Sequence, residues 1–245
     1  MSSNEFPLFK LKREEDFADV FAFMQQHFRV QEPITRALGT KEEESADFYT
    51  DLCNGGFKTA GISFGVRNAA GELIAVALNG QCTYEELGRT PPVNKRDFTQ
   101  GFSHLFPPLI THRVFAAEIN DGPYTFRNAN RLLVFIEHVE AGLFAHLPPN
   151  ARIFKMDILA VRSDYCRRGI ASTLLSTSLQ AAREAGCTHV ATCATAQASQ
   201  RLFKSRGFRT LRSVRFADFS DQQRAVYAGV HDGGDAARLM LLELS

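Results

Sequence analysis

Met156-Asp-Ile-Leu-Ala-Val161 runs into Arg162-Ser-Asp-Tyr-Cys-Arg-Arg-Gly-Ile-Ala171, and Ser172-Thr-Leu-Leu175 follows. The first six residues read as a largely apolar, buried strand. The next eight form a polar loop with two adjacent arginines, and a helix opens after Gly169. The first turn of a helix exposes unpaired N–H groups and carries partial positive charge, so it binds phosphate. Gly169 lets the backbone approach a ligand with no side chain in the way. Arg167 and Arg168 add charge suited to phosphate oxygens. The stretch offers a pyrophosphate cradle at the end of a strand. The plainer reading of the same residues is a solvated basic loop ahead of an ordinary helix.

Downstream, Ala171, Leu174, Leu175 and Leu179 share one face of a helix over 169–185. Val190–Cys193 reads as a strand and 196–206 as a helix stopped by Gly207. Strands near 208–217 and 238–244 follow. Upstream, 124–146 reads as one long amphipathic helix. The runs Gly61–Val66 and Leu73–Leu78, joined by Asn68-Ala-Ala-Gly71, read as a hairpin. Phe6, Leu8 and Leu11 mark a short first strand. Phe17, Val20, Phe21, Met24 and Phe28 lie at helical spacing in a helix that ends before Pro33. Residues 41–52 read as a short helix closed by Gly55-Gly56, with Glu42, Glu43 and Glu44 on a solvated face. Residues 84–123, broken by two Pro-Pro pairs, read as helix and loop. The order predicts an α/β fold, a mixed sheet with helices on both faces. No repeat or linker divides residues 1–245, so one domain is expected.

Composition narrows the functional classes. The 245 residues are 44% hydrophobic and 22% charged, with formal net charge +1. That balance excludes a global basic field that would draw the chain onto nucleic acid. Five cysteines, none in a CxxC pair, argue against a disulfide framework or a zinc site. His27 and His138 have no second ligand at metal spacing, so no metal is expected. No apolar run has the length of a signal peptide or a membrane span, and the expected compartment is the cytoplasm. The loop carries neither a Walker pattern nor a dinucleotide fingerprint.

Cys166-Arg-Arg-Gly-Ile-Ala171 resembles the signature of the GNAT acetyltransferases: Gln or Arg, two residues, Gly, one residue, then Gly or Ala. Cys166 departs from that pattern at its first position. Ala198-Ser-Gln-Arg-Leu-Phe-Lys-Ser-Arg-Gly-Phe208 is similar to the family's next helix, which closes on Gly-Phe and flanks the cofactor. The two blocks span about 155–217. The resemblance implies acetyl-CoA as cosubstrate. Its pantetheine arm would lie along Ile158, Leu159, Ala160 and Val161. Its phosphates would meet Arg167, Arg168, Gly169, Ile170, Ala171 and Ser172, with Phe203 contributing from the following helix.

Phe28-Arg-Val-Gln-Glu-Pro-Ile34 with Leu38-Gly39, and Phe216-Ala-Asp-Phe219, resemble the invertebrate arylalkylamine (dopamine-type) N-acetyltransferases. In that subfamily the Glu before Pro is the general base, which makes Glu32 the candidate here. Many GNAT enzymes carry a Tyr acid where this chain has Phe203. The dopamine-type enzymes use two hydroxyl residues instead, matched by Ser199 at the second position and by Thr195, in place of Ser, at the first. Read from spacing alone, Glu32 is a helix-end surface residue, and Thr195 or Ser199 is a helix cap.

The chemistry shows why a base is needed. An alkyl ammonium with pKa about 10.4 is neutral in roughly one molecule per thousand at pH 7, a deficit of about 4 kcal/mol. Pro33 pushes Glu32 towards extended backbone. His27 is a candidate relay, and Asp157 is a candidate for the acceptor pocket. Cys166 and Cys193 have no paired His, which argues against an acetyl-cysteine route. The expected activity is transfer of acetyl to a small arylalkylamine by direct attack in a ternary complex. The alternatives are a GNAT enzyme for polyamines or protein amines, or a non-catalytic acyl-CoA-binding protein.

Overall fold

The computed structural model describes residues 6–88 and 115–244. Among these residues seven strands form the main sheet: β1 (Leu8–Lys10), β2 (Phe64–Arg67), β3 (Leu73–Thr83), β4 (Arg152–Val161), β5 (His189–Ala194), β6 (Arg209–Arg215) and β9 (Ala236–Glu243). Their spatial order is β1-β2-β3-β4-β5-β9-β6, and a two-stranded ladder of β7 (Ser220–Asp221) and β8 (Arg224–Ala225) stands apart. All neighbours in the main sheet are antiparallel except β4 and β5. The helices are α1 (Arg13–Phe23), α2 (Arg29–Gln31), α3 (Pro33–Leu38), α4 (Glu42–Lys58), α5 (Tyr84–Gly88), α6 (Ala116–Asn120), α7 (Arg127–Glu140), α8 (Ile170–Glu184) and α9 (Gln197–Ser205).

Both faces of the sheet are covered, as the mixed α/β pattern predicts. On one face Val20, Phe48, Tyr49, Leu132 and Phe135 from α1, α4 and α7 pack with Val76, Leu78, Ile153 and Ile158. On the other, Ile170, Leu174, Leu175 and Phe203 from α8 and α9 pack with Ile74, Phe154, Met156 and Val190. Residues 73–78 of β3 lie between the two and are all buried, which is why they read as a continuous apolar run.

Two features of β4 shape the site. It pairs with β3 along its whole length, but with β5 only over Ile153, Phe154 and Lys155. Beyond Lys155 no ladder pairing joins the two parallel strands, and the cavity lined by Asp157, Ile158, Cys193 and Thr195 forms a wedge where it ends. The second feature is a bulge. Leu78 pairs with Ile158 and Asn79 with Met156, so Asp157 is the extra residue, and Asp157 and Ile158 both reach the same cavity.

Several expected boundaries move. The helix expected over 41–52 continues through Gly55-Gly56 to Lys58. A Cβ on Gly56 would stand 2.8 Å from the Leu78 Cβ, so here glycine serves close helix–sheet packing and not termination. The helix expected over 124–146 is α7 alone; Gly142 at φ 94° separates it from a 3₁₀ turn, Leu143–His146. The first helix passes through a π-helical turn, Met24–Phe28, before α2, and α3 follows Pro33 as an additional helix. Of the 84–123 segment, α5 and α6 are helical, and 89–114 lies outside the described residues.

Candidate active site

Local sequence places Glu32 where tertiary structure uses it. Pro33 supplies the fixed φ of a first helical residue, and Glu32 before it is extended at φ −68° and ψ 129°. Glu32 is therefore the N-cap of α3, and Gly39 closes that helix in the left-handed region at φ 60°. The surface position read from spacing is not found: Glu32 is only 8% exposed. Its Oε1 accepts from the Ile34 N–H at 3.2 Å and from the Thr195 hydroxyl at 2.7 Å. Its Oε2 accepts from the Thr35 N–H and the Thr35 hydroxyl, both at 2.7 Å. The Tyr49 hydroxyl donates to Thr35 Oγ1 at 3.1 Å, and burial pushes this phenol far above its usual range, so it remains a donor.

Glu32 and Thr195 lie 163 positions apart, yet they share a hydrogen bond and one cavity of about 130 Å³. Its apolar wall includes Phe28, Phe48, Leu52, Leu132, Leu133 and Ile136. Its floor is the bulge of β4 with Lys155, Asp157 and Ile158, next to Cys193. Lys155 Nζ lies 2.9 Å from Glu140 Oε2 and 3.4 Å from Asp157 Oδ1. Burial opposes the charge on Lys155, but Asp157 and Glu140 outweigh it and hold the ammonium above its ordinary value.

Ser199 is not brought into this cluster. Its hydroxyl donates to the Ala196 carbonyl at 2.8 Å in the first turn of α9, whose N-cap is Ala196, so Ser199 is not a helix cap either. His27 faces another way, beside the Phe23 ring and the charge of Arg162, and burial pushes its pKa down. The thiols are not primed as nucleophiles. Burial raises Cys193 well above the ordinary thiol value, and it raises Cys166 despite Arg167.

The other end of the wedge is the start of α8. Gly169, at φ 80°, is its N-cap, and no side chain caps the first N–H groups of this 15-residue helix. A Cβ on Gly169 would meet nothing within 4 Å, so the space before the helix is open. Arg167 is also left-handed, at φ 64°, and is exposed, as is Arg168. The Arg168 guanidinium lies over the rings of Tyr165 (5.1 Å) and Phe6 (5.8 Å). Ile170 is buried, so only its backbone faces the opening. The Ser172 hydroxyl is taken by Arg206, and Phe203 is buried against Phe208 at 5.0 Å, so neither side chain points at the wedge through a free polar group. Along β4, the Thr192 hydroxyl occupies the Met156 carbonyl and the Gln31 amide bridges Val161 O and Ser163 N. Ile158, Leu159 and Ala160 lie between these two ties, where no strand residue of β5 pairs with them.

A strand whose pairing with its parallel neighbour stops after three residues is thus followed by an uncapped helix start. Residues 98–208 match the acetyltransferase (GNAT) family. The chain carries a GNAT acetyltransferase domain.

The same architecture recurs in solved structures of low identity. Arylalkylamine N-acetyltransferase 2 from Aedes aegypti superposes with a TM-score of 0.71 at 20% identity, over 99% of this chain and 100% of that one. A polyamine N-acetyltransferase from Drosophila melanogaster, described as forming N-acetylagmatine, gives 0.67 at 17% identity, over 98% and 100%. The C-terminal condensation domain of Ebony, solved with beta-alanyl-dopamine, gives 0.67 at 16% identity, over 98% and 99%. At these identities the likeness establishes the GNAT fold. No curated protein sequence matched the chain. Among the described residues, no cluster of His, Cys, Asp or Glu could hold a metal ion, and no helix is long and apolar enough to cross a membrane.

Sequence reasoning missed Thr35, Tyr49, Asp51, Glu140 and Lys155. A signal existed for two of them. Phe48, Asp51, Leu52 and Gly55 lie on one stripe of α4, and Leu132, Leu133, Ile136 and Glu140 on one stripe of α7. A carboxylate within an otherwise apolar helical stripe points into the protein.

Proposed function

We propose that this GNAT acetyltransferase transfers acetyl from acetyl-CoA to the primary amine of a small arylalkylamine. The observation that carries the reading is the part-buried Glu32–Thr195 hydrogen bond in the wall of a largely apolar, aromatic-lined cavity at the β4–β5 wedge. The wedge and the α8 start fit the cosubstrate. The backbone edge of Ile158, Leu159 and Ala160 that faces away from β3 would hold the pantetheine arm. The first N–H groups of α8 with Gly169, Arg167 and Arg168 would hold the phosphates. When bound, acetyl-CoA supplies an activated acyl carbon and a thiol leaving group.

The remaining work is a proton transfer between two of the chain's own residues. As the Thr195 hydroxyl turns away from Oε1, Glu32 takes a proton from the attacking amine there, which offsets the small neutral fraction of the acceptor. Thr195 gives its hydroxyl proton to the departing sulfur and recovers the proton held by Glu32, 2.7 Å away. An ammonium acceptor sheds two protons: one reaches sulfur through Glu32 and Thr195, the other passes to solvent, and both side chains are restored. A backbone N–H of the unpaired β4 edge is the available donor for the developing oxyanion. Ser199 then acts only at the start of α9.

A second acceptor class has an observation in its favour. Among the described residues, four carboxylates, Glu32, Asp51, Glu140 and Asp157, line the cavity with a single cation, Lys155. That excess favours an acceptor with two positive charges, such as a diamine. Free-thiol release from acetyl-CoA near pH 8, with dopamine, tyramine, octopamine, serotonin, spermidine and a short peptide, separates the readings. Turnover with the aromatic amines is expected. Turnover with spermidine or peptide alone would transfer the assignment to that class, and acetyl-CoA binding without thiol release from any acceptor would leave a binding protein.

A further inference from the structure

Among the four lining carboxylates, Asp51 is placed differently from the rest. Glu32 is saturated by four donors, and Glu140 and Asp157 flank the Lys155 ammonium. Asp51 projects from α4 on the same stripe as Phe48 and Leu52, inside the apolar part of the cavity. Its Oδ2 accepts from the Tyr124 hydroxyl at 2.9 Å, and Tyr124 is in turn packed edge-on against Phe48 at 6.1 Å. Among the described residues no other donor and no Lys or Arg reaches Asp51. Burial raises its carboxyl, only partly opposed by Tyr124.

A carboxylate held by one tyrosine in an apolar wall retains acceptor capacity on its other oxygen. Left without a donor in the complex it would be costly, and supplied with one it becomes a specificity contact. Glu32 belongs to a separate network, through Thr35, Tyr49 and Thr195. Glu32, at the start of α3, and Asp51, on α4, therefore line one cavity from two separate networks.

We infer that Asp51, braced by Tyr124, is a specificity residue that selects amines bearing a hydrogen-bond donor at the end remote from the acetylated nitrogen. This rests on the acetyltransferase reading above and adds a requirement to it. Two acceptor chemistries satisfy the requirement, a phenolic hydroxyl and a second cationic nitrogen.

The test uses matched pairs that differ only in the remote donor, phenethylamine with tyramine and butylamine with 1,4-diaminobutane. Thiol release from acetyl-CoA gives kcat/KM for each with wild type, Asp51→Ala and Asp51→Asn. In the wild type, at least one donor-bearing amine should exceed its partner by about tenfold or more, and in Asp51→Ala that ratio should fall to within about threefold. The pair that responds identifies which donor is read. Tyr124→Phe, which frees the second oxygen of Asp51 from its brace, should reduce the same ratio. If Asp51→Ala does not fold, the near-isosteric Asp51→Asn carries the comparison. Wild type turning over all four amines with ratios near one, or a ratio unchanged by loss of the carboxylate, would overturn the role of Asp51 and leave the acetyltransferase reading standing. No thiol release from any of the four would overturn both.

Discussion

Replacing Glu32 by Gln removes the proposed base while disturbing its surroundings least. Four donors converge on the carboxylate, so the cost depends on how a carboxamide can be fitted to them. With its carbonyl in the place of Oε2, the amide keeps both bonds from Thr35. Its NH₂ then faces Thr195, whose hydroxyl can turn to accept, and the Ile34 N–H, which cannot. One buried donor is lost, a cost of about 1–2 kcal/mol. For a chain of this size that corresponds to a fall in Tm of about 2–8 °C. Glu32→Ala strands all four donors and removes the α3 cap, a cost of about 3–5 kcal/mol, which makes it the poorer probe. The kinetic effect should be much larger than the loss of folded enzyme. Removal of a general base is expected to lower kcat/KM by about 10²- to 10⁴-fold near neutral pH, or about 2.7–5.4 kcal/mol. The pH profile gives a second check. Below the amine pKa of about 10.4, the neutral fraction rises about tenfold per pH unit. In Glu32→Gln, log kcat/KM should therefore climb with unit slope from near pH 7 to near pH 10, and the gap to wild type should narrow. Thiol release with the preferred amine, alongside a melting curve, measures both quantities. A folded Glu32→Gln enzyme within about threefold of wild type near pH 7.5 would reduce Glu32 to a helix cap and refute the reasoning.

Thr195→Val should lower kcat by about 10-fold or more, whereas Ser199→Ala should stay within about threefold in kcat, because of these two hydroxyls only that of Thr195 touches Glu32. A larger loss from Ser199→Ala than from Thr195→Val would reverse these roles. Lys155→Met should destabilise the fold by about 3–5 kcal/mol, since Glu140 would remain buried without its cation; urea denaturation midpoints with and without a compensating Glu140→Gln change test this, and a Glu140→Gln change that restores nothing would argue against the ion pair. Iodoacetamide should label Cys166 first, slowly because burial raises its pKa, with acetyl-CoA slowing it further. Prior labelling of Cys53 or Cys193, both pushed upward by burial, would contradict the packing described.

Much of the fold was legible in local chemistry. The strand–loop–helix from Met156 to Leu175, the hairpin through Asn68–Gly71 and the β5–α9–Gly207 unit depend on short-range patterns: apolar runs, turn residues and a glycine where the backbone turns left-handed. Pro33 is a further case, since its ring governs the backbone of Glu32 whatever the rest of the chain does. The sequence alone therefore determined the mixed sheet, the left-handed glycine turn before α8 and the local conformation of the candidate base. Tertiary structure decided which hydroxyl joins that base. Thr195 and Ser199 are both hydroxyl residues near the start of one helix, but only the end of β5 passes over α3, and that crossing depends on how the whole sheet is ordered. It decided that Gly55-Gly56 continue a helix, because the closeness of Leu78 is a long-range fact. It also decided the pocket's charge. Asp51, Glu140 and Lys155 come from two helices and a strand, and their burial, pairing and shared cavity exist only once those elements pack. Propensity and turn chemistry act over a few residues, whereas a site built across α3, α4, α7, β4 and β5 depends on contacts between segments more than a hundred positions apart.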